Sequence, residues 1–284
     1  MLRIAIQSKG RLYDDTTTLM KEAGIKVNRS ERALLVRSTN FPVEILYLRD
    51  DDIPQTVASG IADIGVVGLN EVMERGEDIE TIQHLGLSKC HLSIAIPKSL
   101  EYTGPQWLNG KQIATSYPNI LKKFLDANNI KAQIHIITGS VEITPHIGLG
   151  DAIFDIVSSG STLVTNNLKE VEKVMDSDAV VVARKDMTEN KRAIVNELLF
   201  RFQAAIDAQK KKYIMMNAPK AHLKEVLSIL PESAKSPTII PLADENWCSV
   251  HTVLEEKHFW ECIGELKKVG AQGILVVPIE KIVL

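Results

Sequence analysis

The sequence predicts an α/β protein with two lobes of largely parallel β-sheet, followed by a small separate domain. First, short β-branched runs alternate with helical patterns through the first two thirds of the 284 residues, which is typical of parallel sheets. Second, this alternation restarts after the loop-rich stretch PKSLEYTGPQW at 97–107. Third, the order changes to β-α-β-β-α-β from residue 213 onward, which is typical of a ferredoxin-like domain.

Length and charge narrow the class of protein. The chain exceeds the roughly 250 residues at which single cores stop growing, so we expect more than one domain. Its 33 basic and 36 acidic residues give a net charge of −3, which disfavours nucleic acid as a partner. Three cysteines without metal-like spacing indicate a reducing compartment, and no apolar run reaches the roughly 20 residues of a membrane span. We therefore expect a soluble, cytoplasmic protein.

Eight predicted strands mark the two lobes. They are RIAIQ (3–7), EILYLR (44–49), ADIGVVG (62–68), HLSIAIP (91–97), KQIATS (111–116), QIHIIT (133–138), AIFDIV (152–157) and VVVA (180–183). A helical apolar pattern then runs from 189 to about 212 and ends in Lys210–Lys212, and we expect this helix to return to the first lobe. We therefore assign residues 1–97 and 185–212 to the first lobe and 98–184 to the second.

The C-terminal residues 213–284 form the predicted third domain. Its segments are KYIMMNAP, KAHLKEVLSIL, TIIPLA, WCSVHTVLE, HFWECIGELKKVG and GILVVPI. Such a domain is commonly a packing or oligomerisation module, so the pattern by itself does not assign it a ligand.

The strongest local signal is a small-residue loop directly after the strand AIFDIV. This strand carries Asp155, and the loop has Ser158, Ser159, Gly160, Ser161 and Thr162 in sequence. Backbone N–H groups and hydroxyls at such a turn are suited to hold a phosphate monoester. Asp155 is placed to accept hydrogen bonds from ribose hydroxyls. The alternative is an ordinary turn in which Ser161 or Thr162 only caps a helix.

Two charged clusters follow other predicted strands. Lys9, Gly10 and Arg11 come after the first strand, and Arg49 with Asp50–Asp52 comes after the second. Because open α/β sheets bind ligands at the carboxyl ends of their strands, both clusters are candidate ligand contacts. The alternatives are solvated charges on a surface turn and a helix cap supplied by one of the aspartates.

The run ADIGVVG combines a carboxylate with two glycines in an apolar strand. Asp63 is the second residue of the run, and Gly65 and Gly68 lie within and at the end of the apolar stretch. The glycines fit either the close approach of a ligand or close packing between helix and strand.

Ordered matches along the chain resemble one family. The matching runs are QSKGRL, LRDDDIP, ADIGVVG, NGKQIATSYPNILKKFL, GSVEITP, DIVSSGSTL, YIMMNAP, SPTIIPLA and GILVVPIEK. They resemble the long, hexameric, histidine-regulated form of ATP phosphoribosyltransferase. The resemblance implies two periplasmic-binding-protein-like lobes of type II around a catalytic cleft, followed by a ferredoxin-like regulatory domain that binds histidine.

The activity implied by this resemblance is the first step of L-histidine biosynthesis. ATP and phosphoribosyl pyrophosphate would give N1-(5-phosphoribosyl)-ATP and pyrophosphate, with Mg²⁺ as cofactor and L-histidine as feedback inhibitor. Because adenine N1 already offers a lone pair, we expect positioning and charge neutralisation rather than a general base. The rival hypothesis is a non-catalytic sensor whose two-lobed cleft closes on a small anion.

The resemblance also implies roles for particular residues. The contacts to phosphoribosyl pyrophosphate are Glu142, Asp155, Ser158, Ser159, Gly160, Ser161 and Thr162. Those to ATP are Lys9, Gly10, Arg11, Arg49, Asp50, Asp63 and Tyr117. Lys9, Arg49 and Asp155 are expected to position the transition state. The histidine site is expected at Asn217, Ser236, Thr238 and Ala271, and direct Mg²⁺ ligands are not assigned.

Overall fold

The computed structural model describes residues 1–30, 33–231 and 237–283. The chain forms two compact units. The first comprises residues 1–18 and 25–195, and the second comprises residues 19–24 and 196–284. Among the described residues, no helix combines the length and the apolar character that crossing a membrane requires.

The residues that the structure describes form three β-sheets and the helices that accompany them. The strands are β1 (Leu2–Gln7), β2 (Leu35–Arg37), β3 (Val43–Leu48), β4 (Ile64–Gly68), β5 (Glu80–His84), β6 (Cys90–Pro97), β7 (Gln112–Thr115), β8 (Gln133–Ile136), β9 (Ala152–Val157), β10 (Leu168–Ser177), β11 (Ala179–Ala183), β12 (Lys211–Pro219), β13 (Thr238–Pro241), β14 (Trp247–Glu255) and β15 (Gln272–Pro278). The α-helices are α1 (Arg11–Glu22), α2 (Ile53–Ala58), α3 (Leu69–Arg75), α4 (Pro118–Ala127), α5 (Ser161–Thr165), α6 (Glu189–Gln209), α7 (Leu223–Ile229) and α8 (Glu256–Lys268).

Two sheets in the first unit share one plan. Their orders are β2-β3-β1-β4-β11-β5 and β10-β6-β9-β7-β8. The first sheet has a parallel centre of β3, β1 and β4, and the second has a parallel centre of β8, β7 and β9. In each sheet an antiparallel strand from later or earlier in the chain adds to one side of this centre, β11 next to β4 in the first sheet and β6 next to β9 in the second, and β2 pairs antiparallel with β3 on the other side of the first centre. This repeat confirms the prediction of two α/β lobes.

The structure corrects the predicted lobe boundaries at 97/98 and 184/185. Strand β6 belongs to the second sheet and β11 to the first. The reason is burial: Leu92 and Ile94 of β6 pack in one apolar cluster with Ile113 and Leu121 of the second lobe. The loop-rich stretch at 97–107 therefore lies inside the second lobe, and the chain crosses between lobes before β6 and again between β10 and β11.

The long helix also ends earlier than the sequence predicts. Helix α6 stops at Gln209, because Lys211 and Lys212 pair with Glu255 and Leu254 in the sheet formed by β12 and β14. Only the part of the helix up to residue 195 belongs to the first unit. Lys191, in the first turn of the helix, donates a hydrogen bond to Asp63 of the first lobe, and the return of the remaining helix to that lobe stays a prediction.

The C-terminal sheet confirms the ferredoxin-like prediction. Its order is β13-β14-β12-β15, and every neighbouring pair is antiparallel. Residues of β12 alternate between buried and partly exposed positions. The buried face packs against Val226 of α7 and against Phe259 and Leu266 of α8. One face of the sheet is therefore covered by the two helices.

Candidate active site

Three adjoining cavities lie in the first unit at the carboxyl ends of its strands. Their volumes are about 250, 230 and 520 Å³. Ile156 and Ser158 line both the 250 and the 230 Å³ cavities, while Asp50 and Glu71 line both the 230 and the 520 Å³ cavities. We call them the loop cavity, the middle cavity and the large cavity, in that order. Because neighbouring cavities share lining residues, two ligands bound in them would lie side by side.

The loop cavity is built by the segment that follows β9. Glu142, Asp155, Ser158, Ser159, Gly160 and Thr162 line it. Gly160 has φ +75°, a left-handed conformation that only glycine adopts without strain and that turns the chain into α5. The Val164 amide donates to the Gly160 carbonyl at 3.1 Å, so the amides just before it lack an intrahelical acceptor. They belong to the segment where the sequence predicts a phosphate, and the Ser161 amide donates to Ser159 Oγ at 3.4 Å.

Ser161 is the one residue of the predicted loop that does not line the cavity. Its Oγ lies 2.9 Å from Ser159 Oγ, and its carbonyl accepts a hydrogen bond from Thr165 Oγ1. Ser161 therefore braces the loop.

Asp155, which lines the loop cavity, has a raised pKa. Burial and the nearby Glu142 carboxylate raise its pKa to about 6, although the Ile156 amide, which donates to Asp155 Oδ1 at 2.8 Å, opposes the shift. The ionised carboxylate is therefore poorly satisfied in the unliganded protein. Hydroxyl donors of a ligand would relieve this cost.

The middle cavity joins the two lobes. Arg11, at the start of α1, donates from Nη1 to Ser158 Oγ at 2.6 Å. This contact brings the basic cluster that follows β1 to the loop that follows β9. A guanidinium here is within reach of anionic groups bound in the loop cavity.

The large cavity is rich in paired charges. Its lining includes Arg49, Asp50, Asp51, Glu71, Glu74, Arg75, Ser116, Tyr117 and Asn119. Asp51 lies 3.3 Å from Arg49 Nε and 3.7 Å from Arg75 Nη2. Both arginines are partly exposed, so phosphates can replace these loosely held carboxylate contacts.

The predicted helix cap by an aspartate after β3 is not formed. Asp52 occupies the position before α2 but makes no capping hydrogen bond through its side chain. Asp51 faces the two arginines instead. The aspartates therefore contribute charge to the large cavity rather than closing α2.

Sequence reasoning missed the residues of α3 that reach the second lobe. The Glu74 carboxylate accepts hydrogen bonds from the Asn119 and Ile120 amides, each at 2.9 Å, at the start of α4. Asn70 Nδ2 lies 3.2 Å from Glu71 Oε1 and 3.4 Å from Tyr117 Oη. The available signal was the position of α3, which begins directly at the carboxyl end of the buried strand β4.

Three predicted ATP contacts lie outside this constellation. Lys9 and Gly10 form the turn after β1, where Gly10 has φ +92°, and neither lines the three cavities. Asp63 lies at the opposite, amino end of β4. Its carboxylate accepts hydrogen bonds from the Arg3 amide at 2.9 Å and from Lys191 Nζ at 2.7 and 2.8 Å. This ion pair, in which the carboxylate is buried and the lysine partly exposed, occupies Asp63 in place of the expected ATP contact.

Packing explains one glycine of ADIGVVG. A Cβ on Gly65 would come within 2.6 Å of Ile53 Cγ2. The structure thus favours close packing of α2 on β4 over ligand approach at this position.

The predicted histidine contacts are only partly brought together. Asn217 of β12 pairs with Gln272 of β15, next to the buried Ala271. Thr238 lies on the other side of the sheet order, where β13 pairs with His251 of β14, and Ser236 lies outside the described residues. The outward face of the sheet also carries a polar chain from Tyr213 Oη to His251 Nδ1, and from His251 Nε2 to Ser249 Oγ, at 2.9 Å each.

Carboxylates line all three cavities, and a metal site requires several such ligands close together. Across residues 1–30, 33–231 and 237–283, no group of three or more His, Cys, Asp or Glu side chains is arranged to hold a metal ion. Any divalent ion at this site would have to take other ligands in addition, from a substrate or from water.

Comparison with known proteins agrees with this architecture. The family model described as ATP phosphoribosyltransferase matches residues 49–204, and the model described as HisG, C-terminal domain matches residues 208–281. The chain is 61% identical to an ATP phosphoribosyltransferase of Bacteroides thetaiotaomicron and 62% identical to one of Phocaeicola vulgatus, in each case over 100% of both chains. A solved structure of the ATP phosphoribosyl transferase (HisG:HisZ) complex from Thermotoga maritima has 28% identity and a TM-score of 0.64, covering 73% of this chain and 99% of that chain.

Proposed function

Because the chain belongs to the ATP phosphoribosyltransferase family, we propose that it joins ATP and phosphoribosyl pyrophosphate in the first step of L-histidine biosynthesis. The products are N1-(5-phosphoribosyl)-ATP and pyrophosphate. The observation that carries the proposal is the row of three adjoining cavities, with the phosphate loop at one end and two arginines at the other. A two-substrate transfer needs this side-by-side arrangement.

The phosphoribosyl group occupies the loop cavity in this proposal. The loop groups that line this cavity, those of Ser158, Ser159, Gly160 and Thr162, hold its 5′-phosphate, while Ser161 braces the loop. Asp155 and Glu142 accept hydrogen bonds from the ribose hydroxyls. The raised pKa of Asp155 supports this role, because ligand hydroxyls stabilise a carboxylate that burial leaves poorly satisfied. C1 of the sugar then faces the middle cavity.

ATP occupies the large cavity, whose volume of about 520 Å³ is within the usual range for cofactor-sized ligands. Arg49 and Arg75 bind its phosphates, and Asp50 and Tyr117 help place the nucleoside. Arg11, at the middle cavity, neutralises the pyrophosphate group. Arg75 is an addition to the residues that the sequence assigns.

Catalysis in this arrangement is positioning and charge neutralisation. The N1 lone pair of adenine forms a bond to C1 of the sugar while the bond from C1 to the pyrophosphate oxygen breaks, and its electron pair leaves with pyrophosphate. We assign no general base, because N1 carries no proton that must be removed. Mg²⁺ bound with the pyrophosphate group would supply further charge neutralisation, and Asp50, which lines both the middle and the large cavity, would be the carboxylate that holds it together with the substrate and water.

The C-terminal domain regulates the enzyme in this proposal. L-histidine binds near Asn217 and Ala271, with Thr238 and Ser236 as further expected contacts, and inhibits the transfer. Inhibition requires histidine to bind one conformational state better than another. We also propose that the chain works as a homo-oligomer, from dimer to hexamer, as the resemblance implies.

Pyrophosphate release tests the activity. The protein is mixed with ATP, phosphoribosyl pyrophosphate and Mg²⁺, and each component is omitted in turn. We expect release only in the complete mixture, with inhibition on adding L-histidine. A protein that only senses an anion would bind one ligand tightly and release no pyrophosphate.

A further inference from the structure

Glu71 is a buried carboxylate at the junction of the middle and the large cavity. Its side chain is 6% exposed, and the residue lines both the middle and the large cavity. Oε1 accepts a hydrogen bond from Asn70 Nδ2 at 3.2 Å. Within the described part of the chain, Oε2 has no hydrogen-bond partner, although Arg75 Nε lies 3.5 Å away. A buried carboxylate oxygen in this state is costly.

The surroundings of Glu71 resist its ionisation. Burial and then the charge of Asp50 raise its pKa, whereas the Tyr117 hydroxyl and Arg75 pull it down less strongly. Tyr117 itself is buried, and Glu71 is among the groups that raise the pKa of its hydroxyl. The carboxylate is therefore in a place where an added donor or positive charge would be stabilising.

The chemistry of the proposed substrates explains what such a donor is. Both substrates are polyanions, so a carboxylate between them repels their phosphates. Only three kinds of group on them attract it: the sugar hydroxyls, the exocyclic amino group of adenine, and the centres that become positive during reaction. The loop cavity already supplies Asp155 and Glu142 to the sugar of phosphoribosyl pyrophosphate. The adenine amino group is the donor that fits the ATP side.

Adenine also gains positive charge in the reaction. When N1 gives its lone pair to C1 of the sugar, the ring carries a positive charge shared between N1 and the exocyclic nitrogen through C6. A preorganised carboxylate beside that edge stabilises the charge more in the transition state than in the bound substrate. The junction of the two cavities is where the reacting edge of adenine has to lie.

We propose that Glu71 accepts a hydrogen bond from the exocyclic amino group of adenine and stabilises the positive charge that forms on the ring as N1 attacks. This inference rests on the proposed function. Glu71 takes no proton in the step. It remains an ionised acceptor while the new N1–C1 bond forms and pyrophosphate leaves with the electron pair of the broken bond.

A binding measurement separates this role from a structural one. N1-methyladenosine triphosphate carries the ring charge of the product and cannot react at N1. Its dissociation constant is compared with that of ATP, in the presence of Mg²⁺ and without phosphoribosyl pyrophosphate, for the native protein, Glu71→Gln and Glu71→Asp. The matched control is Glu172→Gln, because Glu172 is another glutamate next to a tyrosine, accepting from the Tyr102 hydroxyl at 3.1 Å, and does not line the cavities.

The preference is the ratio of the dissociation constant of ATP to that of the methylated nucleotide. We expect this ratio to be at least tenfold larger in the native protein than in Glu71→Gln, because the variant loses one charge-assisted hydrogen bond. Glu71→Asp should keep part of the preference, and Glu172→Gln should keep all of it. Equal preference in the native protein and Glu71→Gln would overturn the proposal. So would an unchanged preference with a raised Mg²⁺ requirement, which would mark Glu71 as a metal ligand.

Measuring pyrophosphate release separates a failure of the proposed function from a failure of the role of Glu71. If the native protein releases no pyrophosphate, the proposed function fails, while the preference between the nucleotides still reports on Glu71. If release is normal and the preference does not change in Glu71→Gln, only the role of Glu71 fails.

Discussion

Replacing Asp155 by asparagine should stabilise the unliganded protein and weaken the enzyme. Asparagine has the same shape, and its side-chain oxygen can still accept the hydrogen bond from the Ile156 amide that Asp155 Oδ1 accepts at 2.8 Å. What disappears is a charge that burial and Glu142 make unfavourable. Asp155→Asn therefore separates the cost of the charge from the shape of the loop cavity.

The pKa of Asp155 sets the size of the effect. It is raised from 3.8 to about 6, a change of about two units, and each unit corresponds to 1.36 kcal/mol. Because the folded pKa lies above the unfolded one, the protein loses stability as the pH rises from about 4 to 6 and keeps the full penalty above that range. The variant should gain up to about 3 kcal/mol at pH 7.5 and roughly half of that at pH 5.

Urea unfolding at these two pH values measures the gain. Asp151→Asn is the matched control, because Asp151 lies just before the same strand, is 42% exposed and does not line the cavities. In the same preparation, kcat/KM for phosphoribosyl pyrophosphate should fall tenfold or more, as a charged acceptor of the ribose hydroxyls is lost. A destabilised variant, or a gain equal at both pH values, would refute this electrostatic account of Asp155.

Further substitutions test other parts of the site. Thr162→Ala should raise KM for phosphoribosyl pyrophosphate more than KM for ATP in steady-state kinetics, whereas Thr165→Ala, whose hydroxyl bonds within α5, should leave both unchanged; equal increases for Thr162→Ala would count against the phosphate loop. Arg11→Ala should lower kcat/KM by about 1.5–3 kcal/mol in transition-state free energy, and unchanged kinetics would mark Arg11 as a surface charge. Glu74→Gln should lower the free energy of unfolding by about 1–2 kcal/mol, because it removes a charge that caps α4; an unchanged urea midpoint would show that the cap is not stabilising. Asn217→Ala should raise the histidine concentration for half-inhibition at least tenfold, and an unchanged concentration would move the effector site elsewhere.

Much of this fold could be predicted from the sequence, because most strands and helices show the apolar periodicity that is typical of their type. The alternation of apolar strands and helices predicts two α/β lobes, and the order of the last six segments predicts the antiparallel sheet of the third domain. Sheet membership is different, because it depends on which apolar face meets which partner. The strand at 91–97 follows the first lobe in sequence, yet Leu92 and Ile94 are buried against the second.

The site shows the same division. The loop from Ser158 to Thr162 is contiguous, so its residue types and its strand reveal it. The roles of Glu71 and Glu74 could not be predicted from a contiguous motif. They depend on contacts of α3 in one lobe with Tyr117 and α4 in the other. Asp63 illustrates the opposite error: its place in a matching motif suggested a ligand contact, whereas Lys191, 128 residues away in sequence, pairs with it.

The bond that the reaction forms tests the central claim most directly. The protein is incubated with ATP labelled with ¹⁵N at N1, phosphoribosyl pyrophosphate labelled with ¹³C at C1, and Mg²⁺, and the product is examined by NMR. We predict a one-bond ¹³C–¹⁵N coupling that appears in step with pyrophosphate. Release of pyrophosphate without that coupling, or no reaction at all with both substrates bound, would contradict the assignment of the loop and large cavities to the two substrates.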